Sequence, residues 1–204
     1  MTRRASTSVP IHDVLAERWS PVGFDRSLIG PSTLAALFEA ARWAPSAFNE
    51  QPWRFLVAPR SDGEAFATML SCLVEGNQVW AKNASALVLT AVATTFARNG
   101  KPNTSARYDL GLAVGNLCAE ATARGLVVHQ MGGVLPDLAR EIYGVPADAE
   151  VVTGIALGRL VDPVSLPDEL RNRDMSPRSR RALADLVFSG CWENGHSFAA
   201  ADPV

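Results

Sequence analysis

Two apolar stretches dominate the hydrophobic pattern of this chain. Residues 86–93 (ALVLTAVA) form a continuous apolar run of strand length, which is typical of a strand in the interior of a sheet. Residues 108–125 (YDLGLAVGNLCAEATARG) are apolar almost all round at helical spacing, which predicts a buried helix. Gly125 suits the C-terminal cap of that helix, because glycine adopts the left-handed conformation without strain.

Shorter apolar stretches predict further helices and strands in alternation. One helix should be capped by Ser32 or Thr33. It carries a stripe that includes Leu34 and Ala41, and it should end at Pro45. Other helices are predicted at residues 11–18, 63–76 and 135–144, and strands at residues 53–58, 126–130 and 150–160. Helices and strands therefore interleave, and the sequence shows no internal repeat.

The two ends of the chain differ from its middle. Residues 1–10 (MTRRASTSVP) are basic with no apolar core behind them, so we expect a loose terminus and not a secretory signal. Residues 161–192 carry three prolines and a cluster of arginines before a short apolar stretch, LADLVF. Residues 161–204 are therefore predicted to form an extended tail on a single domain of residues 1–204, wrapping over a surface or crossing to a partner.

Composition and charge narrow the class of protein. The chain has 204 residues, of which 48% are hydrophobic and 20% charged, as in ordinary globular proteins. A formal net charge of −2 gives no reason to expect nucleic acid or a membrane as partner. No apolar run approaches the roughly 20 residues that a membrane span needs. Three scattered cysteines form no Cys-x-x-Cys pair and indicate a reducing, cytoplasmic setting.

The sequence lacks the common self-contained catalytic motifs. Its three histidines are too far apart for metal-ligand spacing, so no metal site is expected. It contains no Gly-x-Ser-x-Gly elbow, Walker loop or Gly-x-Gly-x-x-Gly fingerprint. This pattern favours chemistry that a bound cofactor carries.

Polar residues are unusually dense in the connection that precedes the strand at residues 53–58. Pro45 and Ser46 begin the connection, Asn49 and Gln51 follow, and Trp53 starts the strand. One interpretation is a well-made loop in which Pro45 stops the helix, Asn49 turns the chain and Trp53 is core. The other is a rigid connection that presents polar groups to a ligand.

The motif in this connection, Pro-Ser-x-x-Asn-x-Gln-Pro-Trp, resembles that of the FMN-dependent nitroreductase family. The segments EGNQVWAKNASALVL, DLGLAVGNLCAEATARGL, HQMGG, IALG and SPRSRRALADLVF follow in the family's order, and the similarity runs over residues 12–192. The resemblance implies an α+β fold with a mostly antiparallel central sheet flanked by helices. It also implies a homodimer with the C-terminal tail exchanged between subunits.

The resemblance assigns a phosphate site to two segments that are distant in sequence. Arg18, Trp19 and Ser20 match the family's Arg-Arg-Ser motif with one change, and Arg178 and Arg180 match its C-terminal basic residues. A phosphate with up to two negative charges suits guanidinium and hydroxyl donors. Taken singly, each arginine is also consistent with a solvated surface charge.

The resemblance also assigns residues to the flavin ring. Pro45, Ser46, Asn49 and Gln51 belong to the motif whose Ser and Asn reach the FMN bound mainly by the partner subunit. Asn77 matches a family asparagine that binds the flavin pyrimidine, although Asn is also a common helix cap. The Gly132–Gly133 pair matches a turn whose N–H groups approach N5, although such a pair alone usually marks a turn. His129 is interpreted as a satisfied core residue.

Two positions depart from the family pattern. Val22 and Trp80 stand where many relatives have basic residues close to the N1–C2 edge of the flavin. Without another cation there, bound FMN should be harder to reduce, and Val22→Arg should raise its midpoint potential. Lys82 is the nearest candidate in sequence for a substitute cation, although a solvated side chain is the simpler interpretation.

The implied function is an oxidoreductase that moves hydride from NADH or NADPH through FMN to a small oxidised acceptor. The acceptor is a nitroaromatic, a quinone or an activated alkene, and the kinetics are ping-pong. No protein general base is predicted, because the flavin performs the chemistry. Two alternatives stay open: a flavin-binding or sequestering protein with poor turnover, and a reductive dehalogenase or flavin-fragmenting member of the same fold.

Overall fold

A single four-stranded antiparallel sheet in the order β1-β2-β4-β3 forms the middle of the molecule. The computed structural model describes residues 3–200. The strands are β1 (Trp53–Pro59), β2 (Ala86–Ala93), β3 (Val127–Met131) and β4 (Ala149–Gly158). Over residues 3–200, seven α-helices accompany them: α1 (Asp13–Glu17), α2 (Pro31–Arg42), α3 (Gly63–Ser71), α4 (Glu75–Ala81), α5 (Ala106–Ala123), α6 (Pro136–Tyr143) and α7 (Asp168–Met175). The α+β class expected from the sequence is confirmed.

Strand β2 is the interior strand that its apolar run predicts. Val88 pairs with Val57 of β1 on one side and with Ile155 of β4 on the other. Seven of its eight residues are buried, because helices cover both faces of the sheet. The one polar residue, Thr90, satisfies its hydroxyl by bonding to Thr153 of β4.

Helices pack on both faces of the sheet and create two separate hydrophobic clusters. Helices α2 and α5 cover the face that carries Val88 and Ile155. Helices α3, α4 and α6 cover the opposite face, with Leu87, Leu89 and Ala156. The alternation of side chains along each strand sends neighbouring residues into different clusters.

Helix α5 is buried on one face only within the chain, so the expectation of burial all round needs correction. Leu110, Leu117 and other apolar residues face the sheet and α2. On the opposite face Tyr108 is 71% exposed, and Gly111 and Gly115 are exposed too. The predicted end of the helix is confirmed, since Gly125 follows the cap with a φ of +69°.

Two helix boundaries differ from those predicted. Gly30 precedes α2 and Pro31 is its first residue, so neither Ser32 nor Thr33 caps it; the fixed φ of proline suits that position. The helix predicted at residues 63–76 is broken into α3 and α4. The break occurs because residues 72–74 pair with residues 133–135, through a bridge between Leu73 and Val134.

The N-terminal segment and the first part of the tail pack against the domain. The Ala5 N–H donates to the Ala16 carbonyl at 2.8 Å, so the segment expected to be loose makes contact from its earliest described residues. The tail is not extended throughout, because α7 packs against the segment after Ser20. Residues 1–2 and 201–204 lie outside the described residues, and exchange of the tail across a dimer stays a prediction.

Within residues 3–200, no helix is both long enough and apolar enough to cross a membrane. The same residues contain no group of three or more His, Cys, Asp or Glu side chains that could hold a metal ion.

Candidate functional site

Two segments far apart in sequence meet through the guanidinium of Arg178. It donates to the carbonyl groups of Ala16 at 2.9 Å and Arg18 at 2.8 Å, and also to that of Arg3. Arg18 in turn donates to the Ser20 hydroxyl at 3.1 Å. The structure therefore joins the N-terminal and C-terminal phosphate motifs predicted from the sequence.

The resulting arginine cluster consists of Arg3, Arg18, Arg178 and Arg180. Burial lowers the pKa of Arg178, and the positive charges of Arg18, Arg180 and Arg3 lower it further. Over residues 3–200, none of the four makes an ion pair with a carboxylate. Clustered guanidinium groups without a counter-charge are suited to binding an anion.

Trp19 contributes to this cluster by holding Arg3. The guanidinium carbon of Arg3 lies 4.9 Å from the centre of the Trp19 ring, within the range of a cation–π contact. Arg180 bonds only to the carbonyl of its neighbour Ser179 among the described residues, and its side chain is exposed.

Asn77 and Gly133 form a second predicted group, at the N-terminal end of α4. The Asn77 amide donates to the Gly133 carbonyl at 3.0 Å, and the Val74 N–H donates to the same oxygen at 3.1 Å. Asn77 is therefore not the helix cap that its residue type permits; Val74 takes that position. A Cβ on Gly133 would lie 2.6 Å from both the Asn77 amide nitrogen and Val74, whereas one on Gly132 would meet open space.

Trp80 lies in the same helix as Asn77 and is almost completely buried. Its ring centre is 6.2 Å from that of Phe24 and 4.5 Å from that of His129. The guanidinium carbon of Arg173 lies 5.8 Å from the centre of the Trp80 ring. The buried Nε1 of Trp80 has no hydrogen-bond acceptor in the part of the chain that the structure describes.

His129 has the satisfied environment expected of a core residue. Its Nδ1 lies 2.8 Å from the Pro21 carbonyl. Burial lowers the pKa of His129; Arg173 and Arg18 act in the same direction, and the Pro21 carbonyl and Asp174 oppose them. The half-buried, hydrogen-bonded ring is therefore part of the packing of the fold.

The structure changes the interpretation of the two departures from the family pattern. Val22 is 1% exposed, so Val22→Arg would place a charge in the core and is a poor test of redox potential. Lys82 is exposed, as a solvated side chain should be. The cation that stands next to Trp80 is Arg173, which nothing in the sequence pattern singles out.

The connection at residues 45–51 is held in a strained shape. Ser46 Oγ accepts the Gln51 N–H at 3.0 Å, and the Gln51 side chain donates to the Asn49 carbonyl at 3.1 Å. Phe48, Asn49 and Gln51 have φ values of +55°, +57° and +49°, which residues other than glycine rarely adopt. Such strain is concentrated at functional sites. Trp53, by contrast, is core.

Within one chain the predicted residues fall into three groups: the arginine cluster, the pair of Asn77 and Gly133, and the connection at residues 45–51. Trp80, which lies in the same helix as Asn77, contacts His129 with 4.5 Å between ring centres. Over residues 3–200, no hydrogen bond or ion pair joins Pro45, Ser46, Asn49 or Gln51 to either group. The connection at residues 45–51 therefore stands apart from the other two groups in its hydrogen bonding.

Asp174 and Asp109 are buried residues that sequence reasoning missed. Asp174 accepts the N–H groups of Val22 and Gly23, and Asp109 Oδ2 accepts the Ala47 N–H at 3.1 Å. Asp109 begins the segment DLGLAVGNLCAEATARGL, but the partner of each aspartate is more than 60 positions away and cannot be predicted from neighbouring residues.

Comparison of the sequence with known proteins identifies a family and a related protein. A family model described as the Nitroreductase family matches residues 15–159. An uncharacterized 15.4 kDa protein of Mycolicibacterium smegmatis, from the ask 5′ region, is 37% identical over 135 residues, which is 64% of this chain and 86% of that protein.

Solved structures show the same fold. A crystal structure described as the oxidoreductase containing FMN is 36% identical, covers 93% of this chain and 96% of its own, and has a TM-score of 0.87. A putative nitroreductase in complex with FMN from Desulfovibrio desulfuricans is 23% identical, covers 91% and 99% of the two chains, and has a TM-score of 0.68. The second similarity supports the fold alone.

Proposed function

Because this chain belongs to the nitroreductase family, we propose that it is an FMN-dependent oxidoreductase. It takes hydride from NADH or NADPH and passes two electrons to a nitroaromatic, a quinone or an activated alkene. The observation that carries this proposal is the arginine cluster, which has no carboxylate partner over residues 3–200. When bound, FMN supplies hydride acceptance and hydride delivery at N5.

The arginine cluster suits the phosphate of FMN in charge and in donor chemistry. Arg18, Arg178 and Arg180 present guanidinium donors, and Ser20 adds a hydroxyl. A phosphomonoester carries up to two negative charges, which two or more guanidinium groups can neutralise. The similarity to a solved oxidoreductase that contains FMN supports the same cofactor here.

The corner at Asn77 suits the flavin ring. A Cβ at Gly132 would meet open space, so the backbone there is accessible to a planar ligand. The Asn77 side chain donates a hydrogen bond to the carbonyl of Gly133, the residue after Gly132, and so holds this turn in place. The unpaired Nε1 of Trp80 is a buried donor that a polar ligand could satisfy.

A twofold homodimer would bring the loop with Ser46 and Asn49 to the cofactor of the other subunit. The exposed face of α5 supports this assembly, because Gly111 and Gly115 allow another helix to approach closely. An open, mostly apolar groove of about 550 Å³ borders the same helix, between α1 and α2. We expect an interface of more than about 2,000 Å² in total, as in obligate homodimers.

In this proposal the protein residues bind and orient FMN and the substrates, and none acts as a general base or nucleophile. His129 is engaged with Pro21, and burial raises the pKa of the Cys72 and Cys118 thiols, so neither is an activated nucleophile. The three free cysteines fit a reducing, cytoplasmic setting.

A flavin-binding protein with poor turnover is the second candidate. The buried apolar Val22 and Trp80 favour it, since neither can place a positive charge beside the ring. Steady-state oxidation of NADH and of NADPH with a quinone separates the two functions. Sustained oxidation supports the oxidoreductase; a fully FMN-loaded protein that oxidises neither nucleotide contradicts it.

A further inference from the structure

The exposed ring of Phe48 and the half-buried ring of Phe96 form an aromatic pair on two neighbouring loops. Their ring centres lie 5.8 Å apart at an interplanar angle of 82°, an edge-to-face arrangement. The guanidinium carbon of Arg98 lies 3.9 Å from the centre of the Phe48 ring and 5.3 Å from that of Phe96. The three side chains therefore form one contiguous aromatic and cationic surface.

The Phe48 conformation is costly for an ordinary surface loop. This residue is 72% exposed and has a φ of +55°, where a bulky side chain is a clear outlier. Burial of the ring does not repay the strain, because most of its surface faces solvent. A role for the exposed ring outside the chain's own packing explains the conformation.

The two loops are fastened together, so the surface is preformed. Glu50 Oε1 accepts the Ala97 N–H at 2.5 Å and ties the first loop to the second. Asp109 anchors the first loop from the start of α5 by accepting the Ala47 N–H. A preformed surface binds a ligand without the cost of ordering its loops.

The surface has positive charge available for a ligand. Over the described residues Arg98 makes no ion pair, whereas the nearby Arg107 pairs with Glu150. Lys101 lies in the same loop as Arg98 and adds a second cation. Acidic residues also lie near these loops: Glu50 and Asp109 each have one oxygen engaged with a backbone N–H, and Asp148 bonds to Thr94 through its backbone carbonyl.

We propose that Phe48, Phe96 and Arg98 form a binding platform for a planar aromatic anion. The exposed ring of Phe48 stacks on the ligand, and Arg98 pairs with its carboxylate or similar group. This inference rests on the proposed function: Ser46 and Asn49 flank Phe48 in the loop assigned to the partner's flavin. The platform would then select aromatic acids among the electron acceptors.

Isothermal titration calorimetry of the FMN-loaded protein with three small probes tests the platform. Benzoate is planar and anionic, benzamide is planar and neutral, and cyclohexanecarboxylate is anionic and not planar. We expect benzoate to bind about tenfold more tightly than either of the others, since each lacks one of the two contacts. Equal affinity for all three probes overturns the proposal without any variant.

Two variants assign the contacts. Arg98→Gln should abolish the preference for benzoate over benzamide, and Phe48→Leu should abolish the preference over cyclohexanecarboxylate. Arg159→Gln, at an exposed arginine elsewhere, should keep both preferences. Retention of both preferences in Arg98→Gln and Phe48→Leu contradicts the assignment.

Measuring the FMN content of each sample distinguishes failure of the platform proposal from failure of the proposed oxidoreductase function. A protein without FMN contradicts the proposed function, and its benzoate preference still reports on the platform. Full FMN content with equal affinities contradicts the platform alone.

Discussion

The carboxylate of Asp174 accepts the backbone N–H of Val22 at 2.9 Å, across 152 positions of sequence. Its second oxygen accepts the N–H of Gly23 at 3.0 Å, and the side chain is almost completely buried. Gly23 leaves room for this contact, because a Cβ there would lie 2.7 Å from Leu166 and 3.1 Å from Asp174. Helix α7 is thereby fixed against the segment that follows the phosphate motif.

We expect Asp174→Ala to lower the free energy of unfolding by about 2–4 kcal/mol. The substitution leaves two buried N–H groups without an acceptor, each costing about 1–3 kcal/mol. Urea unfolding measures the change. Asp168→Ala on the same helix removes an exposed ion pair with Arg171 and should change stability by less than about 1 kcal/mol. Equal effects of the two substitutions would contradict this account.

Removal of Arg18 and Arg180 should weaken FMN binding by several kcal/mol. Charge-assisted hydrogen bonds contribute about 1.5–3 kcal/mol each, and both side chains lack a carboxylate partner in the described residues. Fluorescence titration of the flavin-free double variant with FMN gives the affinity. Arg181→Ala serves as the neighbouring control. Unchanged affinity in Arg18→Ala/Arg180→Ala would remove the phosphate assignment.

A bulky residue at position 115 should weaken the proposed homodimer. A Cβ on Gly115 meets nothing within 4 Å in its own chain, so Gly115→Leu spares the core and improves helix propensity. The leucine side chain would block the approach of a second helix, and sedimentation velocity should show dissociation. Gly63→Leu in α3, where a Cβ also meets open space, is the control.

A C-terminal truncation tests whether the tail crosses to a second subunit. A chain that ends after residue 182 keeps Asp174 and Arg178, and therefore keeps the packing of α7. If residues 183–204 cross to the partner, this truncation should weaken the dimer while the subunit stays folded. A truncated protein that stays dimeric at nanomolar concentration speaks against tail exchange.

His129 should make the protein less stable in mild acid. Burial lowers its pKa in the folded state below the ordinary value of 6.5, so the unfolded chain binds more protons in the window below pH 6.5. The stability contribution of the neutral ring is complete above that pH and is lost as pH falls through the folded pKa. His129→Gln should flatten the dependence of unfolding free energy on pH between about pH 5 and 7.

His12→Asn is the matched control for the histidine prediction. His12 is exposed and caps α1 through its side chain, and asparagine preserves that cap. The control should keep the acid slope of the wild type. If the unfolding free energy of His129→Gln depends on pH as steeply as that of the wild type, groups other than His129 cause the dependence.

Arg173 should raise the midpoint potential of bound FMN. A cation near the ring stabilises the negative charge that reduction places on N1 and O2. Arg173 is the cation that lies over Trp80. Arg173→Gln should therefore lower the midpoint potential of bound FMN. For a two-electron couple, a tenfold decrease in the equilibrium constant for reduction corresponds to a decrease of about 30 mV. Potentiometry should show recovery in Arg173→Lys and little change in Arg171→Gln; an unaltered potential in Arg173→Gln would exclude this role.

Sequence reasoning succeeded where the information is local or follows a fixed period. The apolar run of β2, the end of α5 at Gly125 and the core position of Trp53 are all readable from neighbours in sequence. Each depends on spacing or on the conformation of one residue.

Sequence reasoning failed where a distant partner decides. The break between α3 and α4 exists because Leu73 bridges to Val134, some 60 positions later. The role of Asp174 depends on two N–H groups 151 and 152 positions earlier, and that of Arg173 on a ring in another helix. No local pattern encodes such contacts, and charged residue types are mostly found exposed.

The contacts of Arg178 with residues near the N-terminus can form only late in translation. The carbonyl groups of Ala16 and Arg18 that it binds are made 162 and 160 residues earlier. At about 5–20 residues per second, the early segment waits on the order of ten to thirty seconds for its partner to be synthesised. The arginine cluster therefore cannot form on a short nascent chain, and loading of the proposed FMN should be one of the last steps in the biogenesis of the protein.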